Sequence, residues 1–352
     1  MPPVYVAILA HGGREWLDRF LPTVLATEYP NFTVWVIDNA STPPLHRWIQ
    51  NQFPSVRVLR YEQNEGYAGG YQRFFSEEGH KVPYVALLNS DVEVPPTWLS
   101  PLIHRLEACP RLAVLQPKIR SWSDRQLFEY AGAAGGFLDP WGYPTCRGRG
   151  EEDKSQYELP SRIFWGGGAA FVVRTAAIQE SQRGLLFKPY YFMHMEEIDL
   201  CWRLQRAGWH IGYEPRSVVY HVGGGSLAKE SPRKVYYNFR NSLYLLWENL
   251  TGPEKYLRIL WRLLLDAPAA CYLLLRAGPR QMAALVKAHW DFFSYIVQQK
   301  GIRMEQLPFV PYGQLEGITY RPMILGGGTA PLLPLECGEP PISDSKEDSQ
   351  PL

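Results

Sequence analysis

The chain has 352 residues, 46% apolar and 20% charged, and at about 150 residues per domain it holds two domains or one large domain with an appendage. Its 36 basic and 35 acidic residues give a net charge of +1, which excludes the basic surplus of a dedicated nucleic-acid binder and the bias of a disordered acidic chain. Five cysteines (Cys109, Cys146, Cys201, Cys271 and Cys337) form no C-x-x-C pair, so neither a disulfide framework nor a zinc ribbon is expected. The N-terminus carries no secretory pattern, and the compartment read from this is reduced and cytosolic. Aromatic content is 14%, material for stacking on sugars, for a membrane surface or for an ordinary core.

Along the chain, strand and helix patterns alternate. Val4–Ala10 is a nearly continuous apolar run, as in a strand buried on both faces. Residues 16–26 place apolar side chains at helical spacing, and residues 32–37 form a second strand ending in Asp38 and Asn39. Helices are expected at 45–53, 66–78 and 98–108, and strands at 56–61, 82–88 and 112–115. This is the pattern of an α/β fold, a mostly parallel sheet flanked by helices. Ligands in such folds bind outside the carboxyl ends of the strands, which draws attention to His11, Asp38, Asn39, Asn64 and the run from Asn89 to Asp91.

Residues 121–165 are rich in Gly, Pro, Trp and Tyr and read as irregular structure. Gly166, Gly167 and Gly168 then feed a strand, residues 197–207 a helix, and residues 211–221 another strand, followed by the loop of Gly223, Gly224 and Gly225. From Pro253 to about 299 the pattern is helical. Arg258, Arg262 and Asp266 recur every four residues within an apolar stretch and would line one stripe, with Arg262 and Asp266 able to pair. These charges and Pro268 exclude a spanning helix. A helix lying on a membrane and a helix packed on the catalytic domain both remain open readings. The organisation expected is a catalytic domain over 1–250, a helical appendage over 251–312, and a Gly/Pro-rich tail over 313–352 with a disordered end.

Neither a G-x-x-x-x-G-K-[ST] loop nor H-E-x-x-H is present, and Gly66, Gly69 and Gly70 lack dinucleotide-fingerprint spacing. What remains is a set of acids and a histidine. A strand runs from Leu87 into Asp91 and Glu93, carboxylates suited to a hard cation on a diphosphate, although Asp91 would equally cap a turn near Pro95. Glu196, Glu197 and Asp199 open a helix, where they suit its dipole or supply a general base; Asp199 and Arg203 are also an i,i+4 pair. His221 ends a strand beside a Gly-rich loop, as a structural histidine or a partner of Asp91 in a metal site.

Together these segments resemble family 2 glycosyltransferases of the GT-A, Rossmann-like nucleotide-sugar fold, especially rhamnosyltransferase-like bacterial members, over about residues 3–250. The matching pieces are Val36 to Ser41, Asn64 to Gly70, Leu88 to Asp91, Phe192 to Leu200 and Val219 to His221. The resemblance implies inverting, metal-dependent sugar transfer from a UDP- or dTDP-sugar to a hydroxyl of a glycan or lipid-linked acceptor in polysaccharide biosynthesis. It makes Glu197 the catalytic base, with Glu196 or Asp199 as alternatives near the substrate. Asp38, Asn64 and Gly66 would contact the nucleotide. Asp91 and His221 would hold Mn²⁺ or Mg²⁺, with Asn89 or Glu93 beside them, since Asn89-Ser90-Asp91 stands where the family has Asp-x-Asp. Glu197 stands where the family usually has Asp. Gly166, Gly167, Gly168 and the loop over 141–157 would shape the acceptor side, and Trp165 and Tyr191 would stack on sugar faces, core packing being the other and favoured reading of both. No Gln-x-x-Arg-Trp motif is present, which favours adding one or very few sugars. The location implied is cytoplasmic, with peripheral contact at the inner face of the cell membrane. The competing reading is a non-catalytic nucleotide-sugar or carbohydrate-binding protein on the same fold.

Overall fold

The computed structural model describes residues 1–130, 132–223, 231–299, 333–335 and 337. The first half alternates as the sequence implies: β1 (Val4–Ala10), α1 (Arg14–Leu25), β2 (Phe32–Asn39), α2 (His46–Gln52), β3 (Arg57–Tyr61), α3 (Gly66–Glu77), β4 (Tyr84–Asn89), β5 (Val92–Glu93) and α4 (Leu99–Ala108). There follow β6 (Leu112–Ser121), the small hairpin β7 (Gly136–Leu138) and β8 (Pro144–Cys146), then β9 (Ser161–Arg162), β10 (Ala170–Arg174) and α5 (Thr175–Gln182). Next come α6 (Glu196–Arg206), β11 (His210–His221), α7 (Pro232–Asn249), α8 (Gly252–Ala277), α9 (Pro279–Gln299) and β12 (Leu333–Pro334).

The main sheet runs β12-β9-β11-β6-β10-β4-β1-β2-β3, with β5 paired to β11. Strands β3, β2, β1 and β4 are mutually parallel, β10 is antiparallel to both β4 and β6, and β11 runs parallel to β6. The sheet is therefore mixed rather than mostly parallel, because β10 enters reversed between its two parallel parts. Side chains alternate between faces along each strand. Val4, Val6, Ile8 and Ala10 of β1 join one apolar core with α1, α2 and α4, while Ala7 faces a second core built with α3, α5, α6 and α7. Strands β6 and β11 are longer than their apolar runs suggested, spanning 10 and 12 residues.

Asp199 was weighed as a substrate contact, and the structure makes it a buried clamp instead. Its carboxylate accepts from Lys188 Nζ at 3.0 Å, Arg203 Nε at 2.8 Å and Asn249 Nδ2 at 2.9 Å, and it is fully buried. Burial works against the charge, but Lys188, Arg203 and Asn249 hold the carboxyl down at about 2. The clamp ties α6 to α7. A second polar knot joins α8 and α9 to the rest of the fold: Asp266 accepts from Arg262 Nε at 2.9 Å and Tyr143 OH at 3.0 Å and pairs with His289 Nε2 at 3.0 Å, while Arg262 Nη2 donates to Ser242 Oγ of α7 at 2.8 Å.

Two expectations about the tail change. Leu333–Pro334 returns to the sheet as β12, antiparallel to β9, and Cys337 is joined to Cys109 across 228 residues as a disulfide. Cysteine spacing reveals local pairs only, and this pair forms because the chain comes back to the sheet edge. Most of the predicted tail, including the end expected to be disordered, lies outside the described residues, as do Gly224 and Gly225.

Asp199→Ala is expected to leave Arg203 buried without its anion, Lys188 keeping Glu248, and to destabilise the fold by about 3–5 kcal/mol in denaturant titration. In the parent protein the Asp199 contribution is complete above the ordinary aspartate range. It is lost as pH falls toward about 2, because its folded-state pKa is depressed.

Candidate active site

The carboxyl end of β4 opens into a cavity of about 720 Å³. Asn89 and Asp91 enter it from the end of β4, Glu196 and Glu197 from the start of α6, and His221 from the end of β11. Trp165, Gly167 and Gly168 close another part of the wall. Of the 141–157 loop, Arg149 and Gly150 reach the cavity.

The start of α6 is held in a costly backbone shape. Phe192, His194 and Met195 all have positive φ, at 65°, 69° and 74°. Such left-handed residues persist only where the surroundings over-determine them. Here the fixture is Asn241 of α7, fully buried, whose amide donates to the carbonyls of Tyr191, Met193 and His194, each at 2.8 Å. Helix α3 braces the same bend: Ala68 N donates to Phe192 O at 3.1 Å. Gly66 has φ +71°, and a Cβ placed there would lie 2.3 Å from Phe192 O, so only glycine fits.

This bend delivers two adjacent carboxylates into a poorly solvated wall. Burial raises the Glu197 carboxyl to about 7, partly offset by backbone N–H groups at the helix start. Glu196 is pushed up further, by burial and then by the Glu197 charge. Burial, and then the charge of Lys234, lower His194 to about 4, so it is a neutral imidazole. Among the described residues, Glu196 Oε2, Glu197 Oε2 and His194 Nε2 are buried without a hydrogen-bond partner, and all three residues line the cavity. A native fold rarely leaves several such atoms together unless a ligand completes them.

The second constellation lies at the ends of β4 and β11. Pairing of β5 with β11, and a hydrogen bond from Val222 N to Asp91 O at 3.1 Å, bring Asp91 beside His221. Asp91 Oδ1 lies 3.3 Å from His221 Nε2, and Glu129 Oε1 lies 3.5 Å from His221 Nδ1. Burial opposes the imidazolium, but the two carboxylates win and hold His221 at about 10. Because the carboxylates flank opposite ring nitrogens, both cannot ligate one ion. Among the described residues no group of three or more His, Cys, Asp and Glu is disposed to hold a metal. Asp91 and His221 Nε2 nevertheless fit a hard divalent cation that takes its remaining oxygens from phosphates and water, with Glu129 orienting the ring from behind.

Glu93, weighed as a second metal ligand, is spent elsewhere. Its carboxylate accepts from Trp122 Nε1 at 2.8 Å and pairs with Arg125 at 2.7 Å, because β5 turns its side chain away from Asp91. Asn89 Nδ2 lies 3.5 Å from His221 Nε2 in the cavity.

Asp38 and Asn64 shape the site from outside the cavity lining. Asp38 is fully buried and accepts from the N–H groups of Ser41 and Leu45, both at 2.9 Å, and from Arg60 at 2.6 Å. Its oxygens are committed to folding the loop after β2, so the expected nucleotide contact is not formed by this carboxylate. Asn64 Oδ1 accepts from Asn39 Nδ2 at 3.1 Å and from Gly66 N at 2.9 Å, which sets the α3 start. Trp165 is 5% exposed and donates Nε1–H to Phe137 O at 2.9 Å, and Tyr191 is fully buried; core packing describes both, although Trp165 also lines the cavity. Gly167 N donates to Gln116 Oε1 at 2.6 Å. Glu129, His194, Tyr67 and Asn241 were not among the candidates from the sequence. Glu129 carried no signal, whereas Tyr67 and His194 stand within the family-like segments Asn64 to Gly70 and Phe192 to Leu200. Tyr67 lines the cavity and donates its hydroxyl to Gly168 O at 2.6 Å.

An α/β sheet whose strand ends open into a cavity walled by carboxylates places this protein in the class whose ligands bind at the carboxyl ends of the strands. The comparisons sharpen that class. Residues 5–171 match glycosyl transferase family 2. The chain is 26% identical over 267 residues to an N-acetylglucosaminyl-diphospho-decaprenol L-rhamnosyltransferase of Mycobacterium tuberculosis, covering 70% of this chain and 85% of that protein. Among solved structures, S. aureus TarS 1–349 in complex with UDP-GlcNAc aligns with a TM-score of 0.55 at 13% identity, over 83% of this chain and 81% of that one. GalNAc-T7 with UDP, GalNAc and Mn²⁺ aligns with a TM-score of 0.53 at 18% identity, over 88% of this chain and 59% of that one. The likeness to the two structures is one of fold. Over residues 5–171 the chain carries a family 2 glycosyl transferase domain, and it is a glycosyltransferase of GT-A-type fold that is similar to the mycobacterial rhamnosyltransferase.

Asn241→Ala removes the donor that fixes the bend before Glu196. It is expected to lower kcat by about 10²-fold, the usual effect of ångström-scale misplacement, with donor KM little changed. Steady-state kinetics with saturating acceptor measures the split; an unchanged kcat would show that the bend holds without it.

Proposed function

We propose that the protein transfers a single sugar from a UDP- or dTDP-sugar to a hydroxyl of a lipid-linked glycan acceptor, with inversion, in the synthesis of a cell-surface glycan. Glu197 carries the reading: it faces the cavity from a fixed bend, and its carboxyl is raised to about 7 by burial. A base whose pKa sits near the working pH combines a populated carboxylate with a useful driving force for taking a proton. The acceptor hydroxyl attacks the anomeric carbon from the Glu197 side and gives its proton to this carboxylate. The nucleoside diphosphate leaves on the opposite side of that carbon, which inverts its configuration.

Asp91 and His221 would hold Mn²⁺ or Mg²⁺ at the diphosphate, where the ion neutralises charge on the leaving group. The choice of divalent metal draws support from GalNAc-T7, whose structure holds Mn²⁺ with UDP. A nucleotide-sugar donor draws support from the UDP-GlcNAc in the TarS complex. The lipid-linked acceptor draws support from the mycobacterial relative, whose name specifies a diphospho-decaprenol substrate. Such an acceptor would bring the enzyme to a membrane surface. Glu196 is the lesser candidate for the base, because burial and the neighbouring Glu197 charge both disfavour its ionised form.

Glu197→Gln is expected to lose about 10²–10⁴-fold in turnover while nucleotide binding persists. In the parent enzyme kcat/KM should rise with pH and level off above about 7, because the base must be deprotonated to act. Near-normal turnover by Glu197→Gln, or a rate flat from pH 5 to 8, would take the base role from this residue.

A further inference from the structure

Helix α8 is turned inside out for a helix in water. Its charged side chains Arg262 and Asp266 are fully buried, joined to one another and to Tyr143, Ser242 and His289. Its exposed residues from Tyr256 to Leu275 are all apolar or aromatic, including Leu257, Leu260, Trp261, Leu264 and Tyr272, and Leu275 is 85% exposed. On α9 the residues Val286, Trp290, Phe293 and Val297 are exposed at 4, 3 and 4 spacing, so they form one stripe, and Trp290 is 72% exposed. Apolar patches of this extent mark an interaction surface. No described helix is long and apolar enough to cross a membrane.

Two observations choose the occupant. Every exposed charged residue described on α8 and α9 is basic: Arg276, Arg280 and Lys287. The three acids of the pair do not contest this, because Glu254, Asp266 and Asp291 are buried or half-buried. The second observation is the scarcity of hydrogen-bonding groups. A protein–protein interface carries about one hydrogen bond per 100–200 Å², and between Tyr256 and Leu275 the outer face of α8 offers little beyond two tyrosine hydroxyls, the Trp261 indole N–H and a thiol. Tryptophan and tyrosine flanked by arginine and lysine are the side chains of the membrane–water interface.

We propose that the outer faces of α8 and α9 form a monotopic docking surface for an anionic phospholipid bilayer, with the apolar side chains inserted and Arg276 and Arg280 at the headgroups. The two helices would lie in the plane of the interface, α8 being about 39 Å long at 1.5 Å per residue. The inward polar knot keeps α8 in this orientation, since rolling the helix would strip Asp266 of its partners. This goes beyond the transfer reaction and does not depend on which sugar or nucleotide is used.

The test is co-sedimentation of the full chain with vesicles of phosphatidylcholine alone and of phosphatidylcholine with phosphatidylglycerol. The parent protein is expected to pellet with the anionic vesicles at least tenfold more than with the neutral ones. Leu260→Glu with Leu264→Glu should return it to the supernatant. Arg276→Glu with Arg280→Glu, which leaves the apolar face whole, should abolish the preference for anionic lipid. Both variants alter only exposed side chains, and turnover of a water-soluble acceptor is expected to be unchanged in them. A parent protein that stays in the supernatant with both vesicles overturns the proposal, as does a dimer in sedimentation velocity that the leucine variant dissolves. Absence of turnover in the parent protein would count against the assigned reaction and leave the vesicle result to stand by itself.

Discussion

The structure turns on the burial of an acidic helix start. Two adjacent glutamates open α6 inside a wall with little water, and that arrangement is unfavourable unless the backbone beneath it cannot relax. Three non-glycine residues with positive φ form that backbone, and Asn241 and α3 hold it from two sides. The same constraint explains the chemistry of the site. Desolvation raises Glu197 to about 7, while a few residues on Asp199 is ion-paired and held at about 2. Three acids within one helical turn thus differ because their surroundings differ: burial raises Glu197 to about 7, burial and the Glu197 charge raise Glu196, and Asp199 clamps the fold.

The second half of the site depends on topology. β10 enters antiparallel between β4 and β6, and β11 runs beside β6 to end level with the end of β4. Asp91 and His221, 130 residues apart, meet there. The imidazole between two carboxylates is a cation in the structure described, and an ion bound at Nε2 would replace that proton. Glu129 behind the ring keeps its orientation in either state.

Much of this was legible in the sequence. The apolar runs at β1 and β4 and the helical spacing of α1 and α4 fix local structure; the strand-end rule of α/β folds points to Asn89, Asp91 and His221, and the family resemblance points to Glu197, and all four line the cavity. What the sequence did not carry is direction. Asp38 and Glu93 have the right residue type at strand ends, but Arg60 and Arg125 claim their oxygens, and nothing local in the sequence signals those partners. Asn241 lies 47 residues beyond His194 and acts by a contact only the fold creates. In α8 the four-residue spacing of Arg258, Arg262 and Asp266 identifies a stripe, yet periodicity is the same whether a stripe faces water or protein. The buried knot with Tyr143 and His289 decides it.

The proposed reaction requires the cavity to take a nucleoside diphosphate jointly with a divalent cation. This is checked by thermal unfolding of the intact protein with UDP, dTDP and GDP, each with and without Mn²⁺. Either UDP or dTDP should stabilise the fold only when metal is present, by about 2.7 kcal/mol at 100 times its dissociation constant. Equal stabilisation with and without metal, or none by any nucleotide at high concentration, would contradict it.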